Sequence, residues 1–162
     1  MVAPGSGTEL PIERRIGHAV KRAEQALMAR KSQALRTVGL TVPQYSALMI
    51  LAEHPGLSGA QLARRCFVTP QTMAAILTNL EGKELVTRRV SNVHAHVFQA
   101  TLTRRGRALL RKADRLAVEI ESGLAEAFTE SEQEQVMALL ERATEVLEAG
   151  AGSRKTGSVN SG

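Results

Sequence analysis

The sequence predicts a mainly α-helical chain carrying one small β-hairpin, and three observations carry that prediction. Apolar residues recur every three or four positions over most of the 162 residues, the spacing of helices with one buried face. Aromatic residues make up only 2% of the chain, so its core has to be built from Leu, Ile, Val, Ala and Met. The period changes once, where two short β-branched runs, Leu85 to Val90 and Val97 to Leu102, flank SNVHAH.

Residues 1–11 are rich in Gly, Pro and Ser and read as a flexible N-terminus. From Ile12 the positions Ile16, Ala19, Val20, Ala23, Ala26, Leu27 and Ala34 predict a long helix to about Thr37, ended by Val38, Gly39 and Leu40. Thr41 and Gln44 form a capping box around Pro43 and start a helix to Glu53, with Tyr45, Leu48, Met49 and Leu51 as its apolar members. His54, Pro55 and Gly56 stop it. Ser58 and Gln61 form a second capping box, for a short helix from Gly59 to Arg65. Thr69 then caps a helix whose first residue, Pro70, needs no N–H there and has a helical φ already set. Its stripe Met73, Ile76, Leu77 and Leu80 falls at i, i+3, i+4 and i+7. After the hairpin, Thr103 caps a long helix with Leu109, Ala113, Leu116, Ile120, Leu124 and Phe128 on one side. Thr129 with Glu132 caps a last helix, striped by Val136, Leu139, Leu140, Ala143, Val146 and Leu147. The low-complexity ending, 149–162, reads as a disordered tail.

Two capped helices separated by Cys66, Phe67 and Val68 have the spacing of a helix-turn-helix, and a hairpin directly after it makes a winged helix. An ordinary helical hairpin is the structural alternative. The face opposite the stripe carries Gln71, Thr72, Ala74, Ala75, Thr78 and Asn79, with no Lys or Arg from Thr69 to Gly82. Such a face suits base edges: Gln and Asn pair bidentately with adenine, and Thr and Ala methyls pack on the thymine methyl. Charge supports this reading. From Ala60 to Arg115 eleven Lys/Arg face three Asp/Glu, whereas from Leu116 to Glu148 nine glutamates face Arg142 alone. Positive charge is thus gathered around the candidate reading helix, as a polyanion-binding surface requires. The outer helices carry more apolar stripe than one small winged domain covers, which favours a partner subunit. A two-fold dimer also sets two reading helices about 34 Å apart on one face of a duplex.

The residues LTVPQYSALMILAEHPGLSGAQLARRCFVTPQTMAAILTNLEGKELVTRR and, after the hairpin, TLTRRGRALL resemble the MarR family of winged-helix regulators over about Ile12 to Glu148. The diagnostic parts are LxxPQ at Leu40 to Gln44, the run Leu62 to Thr72 across the turn, LExxxLVxR at Leu80 to Arg88, and LTxxG at Leu102 to Gly106. The resemblance implies a single domain, 12–148, in which 12–40 and 116–148 are dimerisation helices and 41–115 is the DNA-binding lobe. It also implies a homodimer, a reading helix in the major groove of double-stranded DNA, a wing at the minor groove and a cleft for a small-molecule effector. The base-reading set is then Thr69, Pro70, Gln71, Thr72, Ala75, Thr78 and Asn79. Phosphate and wing contacts fall to Ser58, Arg64, Arg65, Lys83, Arg88, Arg89, His94, His96, Arg104 and Arg105. Lining of the effector cleft is assigned to His18, Met28, Tyr45 and Met49, for each of which core packing is the alternative. The chain departs from the family pattern in three places. His94, Ala95 and His96 stand where the wing tip has Asp-Gly-Arg, Phe67 and Glu84 stand where glycines are usual, and Ala75 and Asn79 stand where arginines are common.

Other classes find little support. There is no Gly-rich phosphate loop and no nucleophile with a base, so an enzyme and a bound cofactor are not expected. His94 and His96 alternate as strand residues do, but without a third ligand nearby no metal is expected. Cys66, the single cysteine, excludes an internal disulfide. It reads as a buried thiol, or as a redox sensor if Arg64 and Arg65 lower its pKa. No apolar run reaches the roughly 20 residues that span a bilayer, and the cytoplasm is the expected compartment. The expectation is a ligand-responsive, homodimeric repressor of transcription on a pseudo-palindromic operator. A winged-helix scaffold that binds protein, with weak or no DNA binding, is the alternative.

Overall fold

A computed structural model describes residues 10–90 and 98–152. After a single 3-10 turn, Ile12–Arg14, the order is α1 (Ile16–Arg36), α2 (Val42–Glu53), β1 (Leu57–Ser58), α3 (Gly59–Arg65), α4 (Pro70–Gly82), β2 (Val86–Val90), β3 (Phe98–Leu102), α5 (Arg104–Ala125) and α6 (Glu130–Gly152). The mainly helical fold with a small antiparallel sheet is as expected, with three corrections. The first helix begins at Ile16 and not at Ile12, because Arg15 is extended and turns its Nε back onto the carbonyl of Leu10 at 2.8 Å. The hairpin is the larger part of a three-stranded sheet of order β1-β3-β2, in which Leu57 pairs with Ala100 and Ser58 with Gln99. Gly56, at φ +86°, makes this third strand possible: its N–H donates to the Ala100 carbonyl at 3.0 Å and turns the chain alongside β3. Met49, expected on the apolar face of α2, is 38% exposed, and Ala47 is buried there instead.

The caps form as their sequences dictate. Both Thr41 with Gln44 and Ser58 with Gln61 close capping boxes, and Thr69 Oγ1 accepts the Thr72 N–H at 3.1 Å. Thr103 Oγ1 accepts the Gly106 N–H at 2.9 Å and donates to the Glu84 carbonyl at 2.7 Å, tying the start of α5 to the loop before β2. Three helix ends share one device. Leu40 N–H returns to the Leu35 carbonyl, Val68 N–H to Ala63 and Leu85 N–H to Leu80, each by the six-residue bond of a Schellman cap. The residue before each returning N–H is left-handed: Gly39 at φ +75°, Phe67 at φ +54° and Glu84 at φ +59°.

Two compact units divide at Ile120, within α5. The first holds the core, built on the fully buried Leu35, Leu40, Leu48, Leu51, Leu62, Met73, Leu80, Leu85 and Val86. Tyr45 joins it, with its hydroxyl 2.8 Å from Asp114 Oδ1 on α5. In the second unit the stripe of α6 faces outward, with Val136, Met137, Leu139, Leu140, Val146 and Leu147 between 40% and 74% exposed.

Candidate nucleic-acid interface

The α3–α4 pair is fixed from below by Leu62, Met73, Leu77 and Leu80, so the opposite face of α4 points to solvent. Gln71, Thr72, Ala74, Ala75 and Thr78 are all exposed there, as are Thr69 and Pro70 at its start. The Thr69 and Thr72 hydroxyls hydrogen-bond each other at 2.9 Å. Each retains lone pairs for an incoming donor.

Asn79 is set apart from this group. Its Oδ1 accepts from Gln44 Nε2 at 2.8 Å, while Gln44 Oε1 accepts the Thr41 N–H at 3.1 Å and Lys83 Nζ at 3.4 Å. Lys83 Nζ also donates to the Gly39 carbonyl at 3.0 Å. The C-terminal turn of the reading helix is thereby pinned to the α1–α2 corner through Gln44, whose amide is buried. Asn79 keeps its amino group and one Oδ1 lone pair, while the bond from Gln44 fixes the orientation in which its amide can meet an adenine edge.

The basic residues divide in the same way. Arg64, Arg65, Arg89 and Arg104 are exposed and have no side-chain partner among the described residues. Arg88 Nε donates to Glu81 Oε2 at 2.9 Å, and its Nη2 donates to the same oxygen. These bonds hold the Glu81 carboxyl below its usual range. Arg105 Nη1 lies 3.1 Å from Glu84 Oε2. Ser58 is half-buried, its hydroxyl accepting from Gln61 N–H. His94 and His96 lie outside the described residues.

Of the expected cleft residues, Tyr45 is in the core, Met49 is exposed, and His18 and Met28 are partly covered on α1. None of the four lines the groove of about 500 Å³ that opens beside Lys83, with Val38, Leu85 and Leu109 as apolar wall and Arg105 and Lys112 at its side. No signal in the sequence brings these residues together, since they come from three separate stretches. Burial raises the Cys66 thiol above its ordinary pKa, in line with a buried thiol and against the alternative of a redox sensor activated by Arg64 and Arg65. No group of three or more His, Cys, Asp or Glu among the described residues could hold a metal ion.

Comparison with known proteins decides the family. A MarR-family sequence profile matches residues 38–95. The chain is also 35% identical over 127 residues to the HTH-type transcriptional repressor Rv2887 of Mycobacterium tuberculosis, covering 78% of this chain and 91% of the relative. The chain belongs to the MarR family. Among solved structures, this MarR-family protein is similar to the transcriptional repressor CouR bound to a 23-mer DNA duplex, with TM-score 0.76 and 27% identity over 85% of this chain and 99% of that one. It is likewise similar to the M. tuberculosis MarR-family protein Rv2887 in complex with p-aminosalicylic acid, with TM-score 0.65 and 35% identity over 80% and 98% of the two chains. In a family of transcriptional regulators the helix-turn-helix Gly59–Gly82 is no ordinary helical hairpin. No described helix of this MarR-family protein is long and apolar enough to cross a membrane.

Proposed function

We propose that this MarR-family protein is a ligand-responsive repressor that binds a pseudo-palindromic operator in double-stranded DNA as a homodimer in the cytoplasm, acting by binding and not by catalysis. The observation that carries the reading is the uncharged, solvent-facing side of α4, together with the exposed guanidinium groups of Arg64, Arg65, Arg89 and Arg104, which have no side-chain partner among the described residues. Bases are read by Gln71, Thr72, Ala75 and Thr78, with Thr69 and Pro70 at the helix start and the amino group of Asn79 at its far end. Phosphates are held by the free arginines first, with Ser58, Lys83, Arg88 and Arg105 secondary because each already serves a protein partner. His94 and His96 take the wing contact. The exposed apolar residues of α6, and separately Ile16 and Val20 on α1, are each given to a partner subunit. The repressor names of the relatives, and their structures with DNA and with an aromatic acid, support the same reading.

The test is fluorescence anisotropy on duplexes tiled across the DNA upstream of its own gene, with light scattering for the oligomeric state. A specific duplex is expected to bind at least about 10³-fold more tightly than a scrambled one. Gln71→Ala should cost about 1–3 kcal/mol on that duplex alone. A monomer, or a protein that ignores every duplex at low salt, overturns the proposal.

A further inference from the structure

We propose that Gln44, buried on α2, is a specificity-determining residue for DNA: it fixes which end of the Asn79 amide the reading helix presents to a base. The inference rests on the reading of α4 as the DNA-binding helix. An asparagine amide accepts at one end and donates at the other, and the two ends are nearly alike in shape, so packing alone does not choose between them. A hydrogen-bonded neighbour of fixed polarity does. Asn79 is exposed on α4, and its inward neighbour is the Gln44 amide at 2.8 Å.

The polarity of that bond is set at the N-cap of α2. The Thr41 N–H can only donate, so the oxygen end of the Gln44 amide has to meet it, at 3.1 Å. Lys83 Nζ, a second obligate donor, approaches the same oxygen at 3.4 Å while the Gly39 carbonyl holds it at 3.0 Å. With Oε1 committed in this way, Nε2 is the end left for α4, and it too can only donate. Asn79 therefore turns Oδ1 inward and carries its amino group at the outward end. Reversing Asn79 would set two amino groups against each other and leave the buried Gln44 Nε2 without its acceptor. A backbone donor on α2 is thus relayed through two side-chain amides to the DNA face of α4. In this orientation Asn79 suits guanine O6 and N7, thymine O4, or an adenine met with the amino group toward N7. Reversed in the same place, it suits the N4 amino group of cytosine.

Gln44→Glu tests the relay, because Glu serves a capping box as well as Gln does and keeps an oxygen for the Thr41 N–H and Lys83. Its second oxygen accepts where Gln44 donates, so Asn79 has to turn its amino group inward and present Oδ1. The full-length parent, Gln44→Glu, Asn79→Ala and the double variant are compared by anisotropy on the bound duplex and on every single-base-pair substitution of it. Asn79→Ala should flatten the preference at one position of each half-site. Gln44→Glu should change the preferred pair at that same position, by about fivefold or more, and leave the other positions unaltered. In the Asn79→Ala background it should change no preference further. A residue that merely braced the fold would weaken all duplexes alike. Asn79→Asp, an exposed change that leaves Gln44 in place, also presents an oxygen and should move the preference the same way, even if the buried variant folds poorly. NMR of the free protein reads the reversal directly: in Gln44→Glu an Asn79 Nδ2 proton should move downfield and exchange more slowly with water. The inference falls if Asn79→Ala alters the preference at no position, if Gln44→Glu or Asn79→Asp keeps the parent's preferred pair, or if the Gln44→Glu change survives Asn79→Ala. A parent that binds no duplex would instead sink the reading of α4, and the NMR comparison would still decide whether Gln44 orients Asn79.

Discussion

Gly106 lies so close to the carbonyl of Leu85 that a Cβ at residue 106 would overlap its oxygen and stand 3.0 Å from its carbonyl carbon. The same oxygen accepts the Thr103 N–H at 3.0 Å, so it has no freedom to retreat. Gly106→Ala is therefore expected to push α5 away from the loop before β2 and to destabilise the protein by about 2–3 kcal/mol, the upper range for overpacking. Urea unfolding monitored by circular dichroism checks it. An unchanged midpoint would mean that the two segments are not in the contact described.

Phe67 and Glu84 occupy the left-handed position of a Schellman cap, where the α1 end uses Gly39. A side chain there costs about 1–2 kcal/mol, of which glycine's greater unfolded-state freedom returns part. Phe67 is 94% exposed, so removing its ring forfeits no packing. Phe67→Gly should stabilise the fold by about 0.5–1 kcal/mol. Glu84→Gly should gain less, because it also removes the exposed pair with Arg105, worth roughly 0–1 kcal/mol. Thermal unfolding of both variants beside Gly39→Ala, which should destabilise, tests all three caps together.

Acid should weaken the pair that joins α4 to β2. Arg88's hydrogen bonds lower the Glu81 pKa in the folded state, so the pair's contribution is complete above the unfolded value near 4.5 and disappears as pH falls through the lower folded value. Both side chains are partly exposed, and screening keeps the contribution below about 1 kcal/mol. The stability difference between the parent and Glu81→Gln should be present at pH 7 and shrink progressively as pH falls below about 4.5. A difference that shows no dependence on pH anywhere in the acid range would assign the effect to something other than the ionised carboxylate.

Cys66 should behave as an inert thiol. It is half-buried against the core, and burial raises its pKa above the ordinary value of 9.0, so the reactive thiolate is scarce at neutral pH. Alkylation by iodoacetamide at pH 7 should run much slower than in the urea-unfolded chain, and peroxide should leave DNA binding intact. Rapid labelling of the folded protein would restore the redox reading.

What the sequence made legible follows the range of each interaction. Every expected cap, from Thr41 to Thr129, joins residues three apart, and such bonds can be read from residue types alone. The reading face of α4 was legible for the same reason, since one helical period sorts Met73, Leu77 and Leu80 from Gln71, Thr72 and Thr78. Contacts across the fold were not. The Gln44–Asn79 bond spans 35 residues, and the sequence shows only that Gln44 suits a capping box, not that its other end is free to reach α4. β1 is two residues long, too short for any alternation to announce it. The left-handed Phe67 and Glu84 were flagged only by resemblance, because nothing local in either side chain favours that conformation.

The division of the basic residues into free and engaged groups predicts their shares of DNA affinity. Each phosphate contact releases counterions, so losing one lowers the slope of log K against log salt by about one. Arg65, exposed and without a partner among the described residues, is free to make such a contact at no cost to the fold. Arg88 keeps N–H donors beyond the two it gives Glu81, but its charge is already offset by that carboxylate, so a phosphate gains less from it. Arg65→Ala should therefore reduce the salt slope by about one and weaken every duplex alike, whereas Arg88→Ala should change the slope much less and act mainly on stability. Anisotropy titrations from 50 to 200 mM salt, about the range over which such slopes are usually read, separate the two outcomes. Equal slopes for both variants would show that the free and engaged arginines are equivalent at the DNA surface.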